Sequence, residues 1–80
     1  MIIGFKIKLD TIEKIKKFIK IVDTFENDID LIQGRYLING KSIMAIFSLE
    51  LTKSLNVIIN DASLNDVTRL HEVMEEFRVD

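Results

Sequence analysis

The apolar residues of this chain change their spacing from every second position to every third or fourth, and back again, along its whole length. That pattern restricts the fold more than any other feature. Ile3, Phe5, Ile7 and Leu9 alternate with Gly4, Lys6 and Lys8, which predicts a strand with one face turned inward. Asp10 or Thr11 supplies a helix N-cap, and Ile12, Ile15, Phe18, Ile19, Val22 and Phe25 then recur at helical spacing while Lys14, Lys16, Lys17 and Lys20 take the other arc. A helix over about 11–24 follows. After a short connector, Ile29 and Leu31 alternate with Asp28, Asp30 and Ile32 as a second strand. Gly34-Arg35 reads as a two-residue type II′ turn, with glycine at its first central position, and this sets Ile32 opposite Leu37 and Leu31 opposite Ile38. The third strand then covers about 36–39, with Tyr36 and Ile38 on the inward face beside Ile29 and Leu31.

Asn39-Gly40 has the form of a second hairpin turn, but the residues after it do not alternate. They group at helical spacing behind Ser42, a good cap, and predict a short helix over about 42–49. Leu55, Val57 and Ile59 alternate with Asn56 and Ile58 as a fourth strand. Ser63 and Asp66 resemble a capping box, and Val67, Leu70, Met74 and Phe77 give the last helix its buried stripe. The order βαββαβα predicts an α+β open-faced sandwich, a four-stranded antiparallel sheet with three helices on one face, as a single domain over residues 1–80. In that arrangement Ile32, Leu37 and Ile58 share the face away from the helices, a face that is normally polar, and are candidates for a homodimer or partner contact.

Charge and composition exclude several functions. A net charge of −2 argues against bulk attraction to nucleic acid or an anionic membrane. No apolar run approaches the roughly 18 residues of a membrane span, and no signal-peptide plan is present, so the expected location is cytoplasmic. With no cysteine, a single histidine and no glycine-rich loop, the chain offers no catalytic constellation, and neither a cofactor nor a metal is expected. His71 borders the apolar stripe of the last helix with Glu75 one turn on, but zinc wants three or four ligands, so His71 is read as a packing or surface residue. Asp23, Glu26, Asp28 and Asp30 lack the central glycine and closing glutamate of a calcium loop. They are read, like the lysines at 14–20, as a solvated face.

One segment carries a family likeness. Ile38-Asn-Gly-Lys-Ser-Ile-Met-Ala-Ile-Phe-Ser-Leu49 resembles the regulatory-serine region of HPr, the histidine-containing phosphocarrier of the bacterial sugar phosphotransferase system (PTS), which reads Val-Asn-x-Lys-Ser-Ile-Met-Gly-Val-Met-Ser-Leu. The βαββαβα order is that of the HPr fold, so the resemblance implies one HPr-like domain. In that family a loop after the first strand, approximately Gly-hydrophobic-His-Ala-Arg-Pro, carries the phosphorylated histidine. Here the corresponding stretch is Lys8-Leu-Asp-Thr-Ile-Glu-Lys-Ile15, without the histidine, arginine or proline, and Glu13 and Lys14 fall where the last two would be. The resemblance therefore implies a relative that has lost phosphocarrier chemistry and is no enzyme. It is similar to the HPr-like proteins of carbon catabolite regulation that keep the serine. Ser42 falls on the serine modified by HPr kinase/phosphorylase, and Ile43, Met44 and Phe47 fall on the apolar patch that docks partner proteins. The implied partners are that kinase or a transcriptional regulator, with no direct nucleic-acid or membrane binding. The alternatives are a self-associating structural or adaptor domain of the same fold, or a divergent phosphocarrier using another acceptor such as His71.

Overall fold

Thr11 starts the first helix: its hydroxyl accepts the Lys14 backbone N–H at 3.1 Å, and α1 (Ile12–Val22) buries Ile15, Phe18 and Val22 while Lys16, Lys17 and Lys20 stay exposed. In the computed structural model, which describes residues 1–79, there follow β1 (Ile29–Gln33), β2 (Tyr36–Asn39), α2 (Ile43–Ile46), β3 (Asn56–Ile59) and α3 (Leu64–Met74). A 3-10 turn over Glu75–Phe77 extends the last helix. The three strands form an antiparallel sheet in the order β2-β1-β3.

The hairpin register is the one its turn requires, with Ile32 opposite Leu37 and Leu31 opposite Ile38. Gly34 has φ +58° and Arg35 is not left-handed, which excludes the type I′ alternative. Tyr36 corrects the expectation of an inward side chain. It shares parity with Ile38 but stands next to the turn at the end of the strand, where it is 66% exposed.

The larger correction concerns the strand expected at the N-terminus, so that the sheet among the described residues has three strands where four were expected. The N-terminal segment forms no continuous strand; it makes isolated bridges, Ile2 with Ile58 of β3 and Ile7 with Leu55 just before β3. Between those bridges it advances five positions while the opposite segment advances three, and the surplus pair is taken up in a bend at Gly4 and Phe5. An even insertion leaves side-chain parity unchanged, so Ile3, Phe5, Ile7 and Leu9 all still point into the core. Beyond the bend the segment is held on both sides. The Ile7 N–H donates to the Leu55 carbonyl at 2.9 Å and Leu55 returns a bond at 2.8 Å. On the other flank the Lys8 N–H donates to the Phe77 carbonyl at 3.0 Å, and the Val79 N–H to that of Lys6 at 3.1 Å.

The inner sheet face, Ile29, Leu31, Val57 and Ile59, is fully buried, and its outer neighbours are half-exposed, so only one face is covered. Phe18, Val22, Ile46, Leu70 and Met74 complete the core from the helices. Each such side chain contributes about 1.5–3 kcal/mol of burial free energy. The Arg69 guanidinium lies 3.7 Å over the ring of Phe25 and covers one edge of that core. None of the helices among the described residues is long and apolar enough to cross a membrane.

Helix α3 opens with the capping box read from the sequence. The Asp66 N–H donates to the Ser63 hydroxyl at 3.1 Å and the Ser63 N–H to the Asp66 carboxylate at 3.0 Å. That backbone donor, then the Ser63 hydroxyl and the Asn27 amide, hold the Asp66 carboxyl below its ordinary value. Because the folded-state value is the lower one, the stabilisation is complete above the unfolded value, near 4, and is lost as pH falls through the folded one. Asp66→Asn should therefore lower the melting temperature at neutral pH and flatten its decline in acid. A melting series from neutral to about pH 2 would show this, and an unchanged acid limb would refute it.

Candidate functional site

The chain reaches Ser42 through a turn fixed by its own polar groups. The Gly40 N–H donates to the Ile29 carbonyl at 2.7 Å, the Lys41 N–H to Asn39 Oδ1 at 2.9 Å, and the Ser42 N–H to the Asn39 carbonyl at 3.2 Å. The Lys41 ammonium turns back to the Phe25 carbonyl at 2.6 Å, which ties this turn to the end of the α1–β1 connection. Ser42 then caps α2, its Oγ accepting the Ala45 N–H at 3.2 Å.

Helix α2 is shorter than the expected 42–49. After Ile46 the bonds tighten to three-residue spacing, Ser48 N–H to the Ala45 carbonyl and Leu49 N–H to that of Ile46, so only one α-helical turn forms. At Glu50, just beyond this turn, an amide from the sheet closes the end. The Gln33 side chain donates to the Glu50 carbonyl and accepts the Glu50 N–H, each at 2.8 Å. Sequence reasoning missed Gln33, because nothing in its local pattern signals a partner on the far side of α2.

With Ile46 and Leu49 turned inward, a single turn cannot bury its other apolar side chains. Ile43 is 40%, Phe47 49% and Met44 81% exposed. The half-buried Ser42 hydroxyl stands at the edge of this apolar platform, where its cap bond uses it only as an acceptor.

The remaining sequence candidates lie elsewhere. On the outer sheet face Ile32 stands opposite Leu37 and Asn56, while Ile58 stands opposite Asp30 and the exposed Ile2, so polar residues interleave with the apolar ones. His71 joins α3 to the N-terminal bend. Its Nδ1 lies 3.0 Å from the Val67 carbonyl, its Nε2 accepts the Gly4 N–H at 3.2 Å, and its ring meets that of Phe5 edge-on at 5.5 Å. Those contacts select the tautomer protonated at Nδ1 and engage both nitrogens. Glu75 is turned to Arg78 at 3.5 Å and not to His71. Asp28 and Asp30 line up with Asn60, whose amide donates to the Asp28 carbonyl at 3.1 Å and to the Asp30 carboxylate at 3.0 Å.

The helix–hairpin–helix–strand–helix order, with an N-terminal segment along the sheet edge and Ser42 at the start of α2, defines an HPr-like α+β fold. The crystal structure of HPr-C-His from Thermoanaerobacter tengcongensis superposes with a TM-score of 0.72 over 95% of this chain and 90% of that one, at 20% sequence identity. At that identity the match establishes the fold. No family model and no curated protein matches the chain.

Proposed function

We propose that this protein is a regulatory, non-enzymatic relative of the PTS phosphocarrier that works by binding another protein, with Ser42 as its phosphorylation switch and Ile43, Met44 and Phe47 as its contact surface. The observation that carries this reading is the exposed apolar platform beside the Ser42 cap on an HPr-like fold. A phosphate on Ser42 would add nearly two negative charges next to those side chains while its oxygens still accept the Ala45 N–H, so the helix start is kept and the surface is changed. The helix dipole contributes little to that effect, because α2 has only one turn. His71 is a poor phosphate acceptor in comparison, since attack through Nε2 would break its bond to Gly4 and attack through Nδ1 its contact with Val67.

Incubation with ATP and an HPr kinase/phosphorylase, with an authentic HPr as positive control, should add one phosphate to the wild type and none to Ser42→Ala, read by intact mass and peptide mapping. An unmodified chain beside a modified control would overturn the switch. Met44→Asp should abolish partner capture while leaving the melting temperature within about 2 °C, as for most surface changes.

A further inference from the structure

Away from the Ser42 platform, Lys6, Lys8, Thr52, Lys53, Ser54 and Val79 line an open cleft of about 380 Å³. Its construction follows from the splice of the N-terminal segment. Ile7 is fully buried, so Lys6 and Lys8 leave the opposite side of the same extended backbone with their Cα atoms about 7 Å apart. That backbone is clamped on one flank by Leu55 and on the other by Phe77 and Val79, so both lysine stems rise from a fixed base. The pairing of Ile7 with Leu55 brings Ser54, Lys53 and Thr52 alongside.

Among the described residues that line it, the charged and hydroxyl side chains are all possible donors, and none is a carboxylate. Among the described residues neither Lys6 nor Lys8 is in an ion pair, and the Thr52 and Ser54 hydroxyls bond no protein group. Lys53 does hold Glu50 at 3.0 Å, but both side chains are about two-thirds in solvent, where such a pair is weak. Asp10, whose charge is felt by Lys8, is already taken by Lys14 at 2.9 Å. The other lysine-rich surface, on α1, lacks these features: Lys16, Lys17 and Lys20 share their face with Glu13, and Lys17 is paired with Glu76 at 2.9 Å.

We propose that this cleft binds the phosphate group of a small phosphorylated molecule. Lys6 and Lys8 supply the charge, and the Thr52 and Ser54 hydroxyls donate to the remaining oxygens. A tetrahedral dianion, with three oxygens free to accept, suits a cleft lined by lysines and hydroxyls from two adjacent segments better than a planar carboxylate does, and the paired backbone beneath limits the ordering cost of binding.

The test is an NMR titration of the isotope-labelled protein with inorganic pyrophosphate, with inorganic phosphate and citrate in parallel arms. Saturable shifts are expected at the amides of Lys8, Thr52, Lys53 and Ser54 with both phosphates, and only weak ones with citrate. Lys6→Gln/Lys8→Gln should weaken pyrophosphate binding about tenfold, and Lys16→Gln/Lys20→Gln should leave it unchanged. Ser54→Ala, which leaves every charge in place, should weaken it about threefold. Equal binding of citrate, equal loss in the α1 variant, or shifts that follow ionic strength alone would overturn the assignment.

Discussion

Ile7→Ala is expected to destabilise the protein by about 2–5 kcal/mol, out of a total of roughly 4–12 for a domain of this size. The side chain is fully buried, and its backbone is the one place where the N-terminal segment is bridged on both sides, to Leu55 and to Arg78. A cavity there removes methyl contacts from the core directly beneath a backbone held on both flanks, so the site has little means of collapsing around the loss. Ile2→Ala is the control. It removes an exposed side chain at the segment's other bridge, leaving the backbone pairing in place, and should cost less than about 0.5 kcal/mol. Urea unfolding of both variants gives the comparison, and a cost for Ile7→Ala below about 1 kcal/mol would mean that the segment adds little to the fold.

The same segment shows where the sequence was legible. Alternation at Ile3, Phe5, Ile7 and Leu9 correctly gave the inward side chains, yet it could not reveal the bend at Gly4 and Phe5, since two extra residues restore the parity they interrupt. Pairing of Lys6 and Lys8 with Phe77 and Val79 was equally hidden, because Phe77 reads as the last member of a helical stripe and the residues after it carry no periodicity of their own. The hairpin register and the N-caps Ser42 and Ser63 were readable, and Thr11 as one of two candidates beside Asp10, because each depends on residues within four positions. The end of α2 was not, because it depends on Gln33, 17 positions away. At the candidate site the cap chemistry of Ser42 was local and visible. Which of Ile43, Met44, Ile46 and Phe47 faces solvent was decided by the sheet behind them, and the basic cleft required strand pairing to bring residues 6–8 beside 52–54.

Gly40→Ala is expected to destabilise by about 1–3 kcal/mol and to lower the melting temperature by about 5 °C or more. The Asn39-Gly40 pair reads as turn chemistry, and residues 39–42 do form a turn, but Gly40 has no left-handed backbone for which glycine would be needed. Space is the reason for it. A Cβ at this position would lie 2.9 Å from the Ile29 carbonyl oxygen and 3.3 Å from Ile29 Cγ2, and the first of these is backbone in the central strand of the sheet. The chain must give way instead, which strains the 2.7 Å bond from the Gly40 N–H to that same oxygen and displaces the turn carrying Ser42. Gly34→Ala distinguishes this mechanism from a conformational one. Gly34 has φ +58° and nothing within 4 Å of a new Cβ, so its cost is the left-handed penalty alone, about 1–2 kcal/mol, and it should leave the amide resonances of Lys41 and Ser42 in place. Gly40→Ala should shift them. Two variants of similar stability that differ in this way would tie the glycine to the position of Ser42, whereas unmoved resonances and an unchanged melting temperature in Gly40→Ala would show that the approach of Gly40 to Ile29 imposes no such constraint.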